Sequence, residues 1–156
     1  MADALDEFAV VAREYCAWCE SPSEREPEFV FSLLSRLVSG ISRVETCAAR
    51  DVEAARPTSD EYERVLAVLP VYPFNSYREF FRPQNLDSPE DCVGDICDDL
   101  ADIWCDVKTG LSLFDSGARQ AANFEWRLMF RSHWGRHATA AMRVIHCWIA
   151  DNREPW

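Results

Sequence analysis

Glycine is scarce in this chain, at five in 156 residues. Turn-rich β architectures lean on glycine for their left-handed positions, so they are disfavoured. Long hydrophobic runs are also missing, and none approaches the roughly 20 residues of a membrane-spanning helix. The opening Met-Ala-Asp-Ala-Leu-Asp-Glu has neither the basic stretch nor the apolar core of a signal peptide. A cytoplasmic, unprocessed chain is expected. Positive charge is in deficit, with 16 Lys and Arg against 27 Asp and Glu and a formal net charge of −11. Phosphate backbones and anionic lipid attract basic surfaces, so general nucleic-acid binding and membrane binding are disfavoured. What suits such acidity is a basic protein partner, a metal cation, or simple solubility. Nothing in the sequence fixes an oligomeric state.

There are seven cysteines: Cys16, Cys19, Cys47, Cys92, Cys97, Cys105 and Cys147. An odd number without a signal peptide argues against a disulfide framework. Cys16-Ala17-Trp18-Cys19 has zinc-knuckle or redox spacing, but no second such pair exists to complete a structural zinc site. The stretch reads as helix, without the strand that precedes a thioredoxin-like motif. Packed or half-exposed free thiols are expected.

What the chain does have is helical periodicity. Leu5, Phe8, Ala12, Tyr15 and Cys19 step by three and four, predicting a first helix that stops near Ser21-Pro22. Val30, Leu34, Leu37, Ile41, Val44 and Ala48 predict a second, with Gly40 as the mark of a close helix contact. Thr58 and Glu61 form a capping-box pattern for a shorter third helix ending before Pro70. Residues 71–87 read as one long irregular connection, too aromatic to be a free linker, with Tyr72, Phe74, Tyr77, Phe80 and Phe81. Ser88-Pro89-Glu90-Asp91 reads as the start of a fourth helix running to Phe114. Asp115-Ser116-Gly117 breaks it, and a long fifth helix is predicted to Asp151, with Phe124, Leu128, Arg131, Gly135, Ala138, Met142, Ile145 and Ile149 as its core stripe. The fold class is therefore all-α. We expect residues 1–156 to form a single helical domain, an antiparallel bundle of four main helices plus one shorter helix.

Two stretches carry most of the costly polar chemistry. At 100° per residue, Asp95, Asp98, Asp99, Asp102 and Asp106 share an arc of roughly 100° beside the stripe of Ile96, Leu100, Ile103 and Val107. Asp99 lies nearest that stripe and is expected to be partly buried and paired; Asp98 is expected in solvent. His133 and His137 stand one helical turn apart, within about 40° of each other, and His146 points nearly opposite. Two histidines at i,i+4 can chelate one metal, yet Trp134 follows His133 where zinc peptidases place their glutamate. Arg131 falls on the core stripe, where a guanidinium needs a carboxylate, so a pair with Asp99 or Asp102 is expected. The candidate polar site is Asp99, Asp102, Asp106, Arg131 and Trp134. The candidate ligands for a divalent metal are Asp99, Asp102, His133 and His137. Imidazoles would suit zinc or a related transition metal, and carboxylates alone magnesium or manganese.

Asp98-Asp99-Leu100-Ala101-Asp102-Ile103, Asp106, Lys108-Thr109-Gly110-Leu111, Trp126, Phe130, His133-Trp134-Gly135, His137, Ala141, Arg143 and His146 together resemble an uncharacterised bacterial family of all-helical proteins. That family is known only as a domain of unknown function. Phe8-Ala9 and Tyr15-Cys16 fit it loosely, and Trp104 stands where tyrosine is usual. The resemblance implies the all-helical fold and brings no activity with it. The function is accordingly weighed between two classes, of which the first is expected and the second is the alternative, because no catalytic signature is complete. One is a non-catalytic interaction or regulatory protein with an acidic and histidine-bearing face. The other is a metal-dependent hydrolase like the all-helical nucleotide pyrophosphatases, for which Asp95, Asp98, Asp99 and Asp102 supply one acidic half. Glu24, Glu28, Glu61 and Glu125 are weak candidates for its second half.

Overall fold

The computed structural model describes residues 3–48, 53–87 and 91–152. Helix α1 spans Ala4–Glu20, and the Asp3 carboxylate caps it by accepting from Asp6 N at 2.8 Å. Helix α2 spans Pro27–Arg43, with proline in its first turn where no amide bond is lost. Helix α3, Ser59–Val68, opens on the complete Thr58–Glu61 capping box. A hairpin of β1 (Ser76–Phe80) and β2 (Asp91–Asp95) follows, and then helix α4, Ile96–Asp115. The last helical stretch is α5 (Arg119–Met129), a π-helical turn (Phe130–Trp134) and α6 (Gly135–Asn152), without a break. Helix α1 packs on α2 and α4, α4 packs on α5 and α6, and α2 closes the bundle against α6. The protein is thus mainly α-helical.

The core is built from Phe8, Tyr15, Leu33, Leu34, Leu37, Ile41, Ile96, Leu100, Ile103, Trp126, Trp134 and Ile145, all fully buried. Its large polar side chains are bonded: Tyr15 donates to Leu100 O at 2.9 Å and Trp126 Nε1 to Val107 O at 2.9 Å. A side chain at Gly110 would overlap the Trp126 indole, so the missing Cβ is what admits that ring. A Cβ at Gly40 would lie 3.1 Å from the Phe8 ring, a tight contact rather than an overlap, and α1 and α2 pack against each other there.

Four sequence expectations are corrected. Helix α2 ends at Arg43 rather than at Ala48, because Val44 turns extended and the Arg127 guanidinium donates to the Ile41 and Val44 carbonyls. A distant arginine thus meets the orphan acceptors that every helix end leaves. Residues 71–87 are not irregular throughout, since they contain β1. Residues Ser88, Pro89 and Glu90 lie outside the described segments, and Asp91–Asp95 is strand rather than helix. The start of α4 falls at Ile96, capped by the Asp95 carboxylate, which accepts from Cys97 N and Asp98 N. Strand pairing places Tyr77 opposite Gly94, where a Cβ would collide with the phenol ring. This cross-strand fit is invisible to a helical-periodicity reading. The fifth helix is interrupted by the π turn, with consequences described below.

The seven cysteines are free, and their settings differ. Cys16, Cys19 and Cys97 are buried, while Cys92 and Cys147 are exposed. Burial pushes the Cys97 thiol up to about 11, with Asp95 and Asp98 adding to the effect; burial also raises Cys16 and Cys19 far above the usual thiol range. Alkylation of native protein at mildly alkaline pH, followed by peptide mass mapping, is therefore expected to label Cys92 and Cys147 and spare Cys16, Cys19 and Cys97. Fast labelling of Cys16 or Cys19 would contradict this packing.

Candidate functional site

Asp99, Asp102 and Asp106 step by three and four along α4 and present one polar edge beside its buried face. Asp99 is 4% and Asp106 1% exposed, values a carboxylate tolerates only when bonded. Both are bonded twice. Asp99 accepts from the Tyr77 hydroxyl at 2.5 Å on one oxygen and meets His137 Nδ1 at 2.7 Å on the other. Asp106 accepts from the Arg56 guanidinium at 2.8 Å and meets His133 Nδ1 at 2.7 Å. Asp102, half-buried between them, accepts from the Tyr62 hydroxyl at 2.9 Å and lies 3.6 Å from His137 Nε2. Asp98 points into solvent.

The two histidine rings lie 4.8 Å apart, nearly edge to face. An Nδ1 committed to a carboxylate carries the ring proton, so each neutral imidazole keeps Nε2 as a free acceptor. Asp102, His133 and His137 each offer one ligand atom, and these atoms all lie within 4.8 Å of one another. Among the described residues this is the one group of three or more His, Cys, Asp or Glu placed to hold a metal. Asp99, expected among the ligands, instead stands behind His137, and Asp106 does the same behind His133.

Electrostatics frames the site. Asp99, Asp102 and Asp106 bring three negative charges, and Arg56 returns one positive charge. With Glu79 facing the same group, the site carries an excess of negative charge that suits a cation. The hydrogen bond to Asp99 raises the His137 pKa above the usual imidazole value against the opposing effect of burial, and Asp102 and Glu79 add to the rise. Burial raises the Asp106 carboxyl, and the His133 and Arg56 contacts only partly offset it. Glu79 sits two residues past Tyr77 on the inward face of β1 and is raised by burial and by Asp99.

Two expected residues fall elsewhere. Arg131 is exposed and pairs with neither Asp99 nor Asp102; Arg56, Tyr62 and Tyr77 meet the aspartates instead. Trp134 is a core side chain, fully buried, stacked on Phe8 and donating to Trp126 O. The cause is the π turn. On a straight helix Trp126 and Trp134 would diverge by about 80°. An i→i+5 turn takes up the excess residue and rotates everything before it by about one residue step, roughly 100°, which leaves the two indoles within about 20°. Both indoles then enter one core, while Leu128 and Arg131 swing outward. His146 is exposed beside Phe31, apart from the other two histidines.

Of the four glutamates weighed for a second acidic half, Glu24 binds the backbone amides of Arg25 and Glu26, and Glu61 serves the α3 cap. Glu125 is half-buried near Arg56 and Asp106, and Glu28 lies in the first turn of α2. A cavity of about 340 Å³ between Pro27, Tyr72, Phe74 and Trp148 shares no residue with the Asp–His cluster. No helix is long and apolar enough to cross a membrane, among the described residues.

The same fold is seen in a crystal structure of protein BF1032 from Bacteroides fragilis, with a TM-score of 0.76, 22% identity, and coverage of 94% of this chain and 95% of that one. No curated protein matches significantly. A family model described as a domain of unknown function matches residues 1–151. The helical bundle, the acidic segment of α4 and the two histidines across from it thus lie within that match, and the chain belongs to the DUF5063 family.

Proposed function

We propose that this protein binds a divalent transition metal through Asp102, His133 and His137. The observation that carries the reading is the state of the two imidazoles. A buried aspartate occupies Nδ1 of each, which leaves Nε2 of each ring as the atom for a ligand, and His137 Nε2 lies 3.6 Å from the Asp102 carboxylate. Carboxylates behind metal-binding histidines fix the tautomer and the ring orientation and make the nitrogen a better donor. Two imidazoles and one carboxylate suit zinc, iron(II), cobalt or manganese better than magnesium, which takes oxygen ligands. Three protein ligands leave positions for water or substrate, as in catalytic rather than closed structural sites. His133 and His137 keep 43% and 26% of their side-chain surface exposed, so those positions open to solvent.

This donor set favours a metal-assisted reaction, hydrolysis by an activated water being the simplest, over a purely acidic interaction surface. It also differs from the all-carboxylate magnesium sites of helical nucleotide pyrophosphatases. Seven free thiols fit a reducing compartment, and the cytoplasm is our reading of location.

The test is isothermal titration calorimetry of chelator-stripped protein with Zn²⁺, Co²⁺, Mn²⁺ and Mg²⁺. One equivalent of Zn²⁺ or Co²⁺ is expected to bind, with Mg²⁺ far weaker. Binding should weaken as pH falls through the raised His137 value, since metal and proton compete for Nε2. Bound metal must also raise the melting temperature by mass action. Absence of stoichiometric binding by Zn²⁺, Co²⁺ and Mn²⁺ alike would overturn the reading and leave an acidic face for a basic partner.

A further inference from the structure

Among the described residues, the hairpin is hydrogen-bonded to the candidate metal site through Tyr77, with Glu79 of the same strand acting on it through its charge. Tyr77 packs its ring against Gly94 of the paired strand and points its hydroxyl out of the hairpin to Asp99 Oδ2 at 2.5 Å. Asp99 Oδ1 in turn holds His137 Nδ1 at 2.7 Å. A continuous path therefore runs from β1 through a buried carboxylate to an imidazole whose Nε2 faces Asp102. The His133 side is built differently: its aspartate is backed by the guanidinium of Arg56, from the segment before α3. One histidine is thus tied to the hairpin and the other is not.

Among the described residues, few other contacts fasten the hairpin. Arg136 lies over the Phe81 ring at 3.9 Å, and at its base Asn75 bonds Asp95 and Ile96. The outward side chains Phe80 and Val93 are exposed. A two-stranded hairpin is marginal by itself in water and needs packing against a body to persist.

We propose that Tyr77 is a positioning residue of the metal centre, and that metal occupancy and docking of the β1–β2 hairpin are coupled through the Tyr77–Asp99–His137 path. This rests on the metal reading above. A metal on Nε2 locks the proton on Nδ1 and strengthens the bond to Asp99. Asp99, held by His137, presents its other oxygen to Tyr77. Coupling of this kind is reciprocal: whatever factor docking adds to metal affinity, metal adds to docking.

The experiment compares wild type with Tyr77→Phe, which keeps the ring on Gly94 and removes only the hydroxyl. Zn²⁺ affinity is measured by competition with a chromophoric chelator. Amide hydrogen exchange over 76–80 and 91–95 is followed with and without Zn²⁺. Tyr77→Phe is expected to weaken Zn²⁺ by about threefold to tenfold, at or below the lower end of outer-partner losses. In wild type Zn²⁺ should slow hairpin exchange by a similar factor, and in Tyr77→Phe it should not. Arg56→Gln serves as the comparison, because it should weaken Zn²⁺ while Zn²⁺ still protects the hairpin. A merely structural role for Tyr77 would lower stability yet leave both the Zn²⁺ affinity and the Zn²⁺-dependent protection unchanged, and that outcome overturns the coupling. If wild type binds Zn²⁺ normally and only the coupling fails, the metal centre stands. If wild type binds no Zn²⁺, both readings fall together.

Discussion

His137→Ala is expected to weaken Zn²⁺ binding by more than roughly 100-fold, beyond the losses typical of outer partners, and Asp102→Asn to do nearly the same. The two substitutions differ in what they cost the fold. His137→Ala leaves Asp99, 4% exposed, with the Tyr77 hydroxyl as its remaining hydrogen-bond partner. An under-satisfied buried carboxylate costs about 1–3 kcal/mol or more, so the metal-free variant should also melt earlier. Asp102 is half-exposed, and an amide oxygen there can still accept from Tyr62. Asp102→Asn should therefore lose metal while keeping the melting temperature of stripped wild type. Asp98→Asn, at an exposed position on the same helix, should leave Zn²⁺ affinity within about twofold. Calorimetric titration and thermal melts of the three variants decide the matter. If Asp98→Asn were as damaging as Asp102→Asn, general acidity rather than a defined ligand set would be holding the metal.

Gly135→Ala is the second large effect, and it joins fold to site. A Cβ at Gly135 would overlap the Phe130 carbonyl oxygen and its ring, because the π turn brings that carbonyl round to the start of α6. The variant must open or shift the turn, at a cost of about 1–3 kcal/mol or more for overpacking. His133 lies inside the turn and His137 just after it. Their rings would lose their common target, and Zn²⁺ affinity should drop at least about tenfold, comparable with loss of an outer partner. Urea unfolding and the same metal titration measure both effects. Full Zn²⁺ affinity in a destabilised Gly135→Ala protein would show that the turn shapes the core and not the site.

The π turn also explains where sequence reasoning ran out. A constant 100° step predicts the buried positions of α6 correctly at Gly135, Ala138 and Ile145. Carried backward across 130–134, the same step places Leu128 and Arg131 inside, where the structure has Trp126 and Trp134. One excess residue in a helix has no compositional signature. Over α4 the step is regular, and the arc arithmetic correctly separates buried Asp99 from exposed Asp98. The approach of the histidines to the aspartates could be anticipated from the crowding of like charge beside an apolar stripe. The partners Arg56, Tyr62 and Tyr77 could not, because each arrives from a segment far along the chain and nothing local sets which residue it meets. Tyr77 lay in a stretch whose aromatic content marked it as docked, but its strand depends on a pairing partner that local periodicity does not contain.

Asp95 is at once the last residue of β2 and the cap of α4. No slack separates the hairpin from the helix that bears Asp99, Asp102 and Asp106. Seen mechanically, the two form a lever with a stiff joint. A pull on the hairpin tip is handed to the first turn of α4 rather than absorbed by a tether. In a single-molecule stretching record, peeling of the hairpin and fraying of that turn would register as one rupture, and a ligand that braces the aspartates would raise its force.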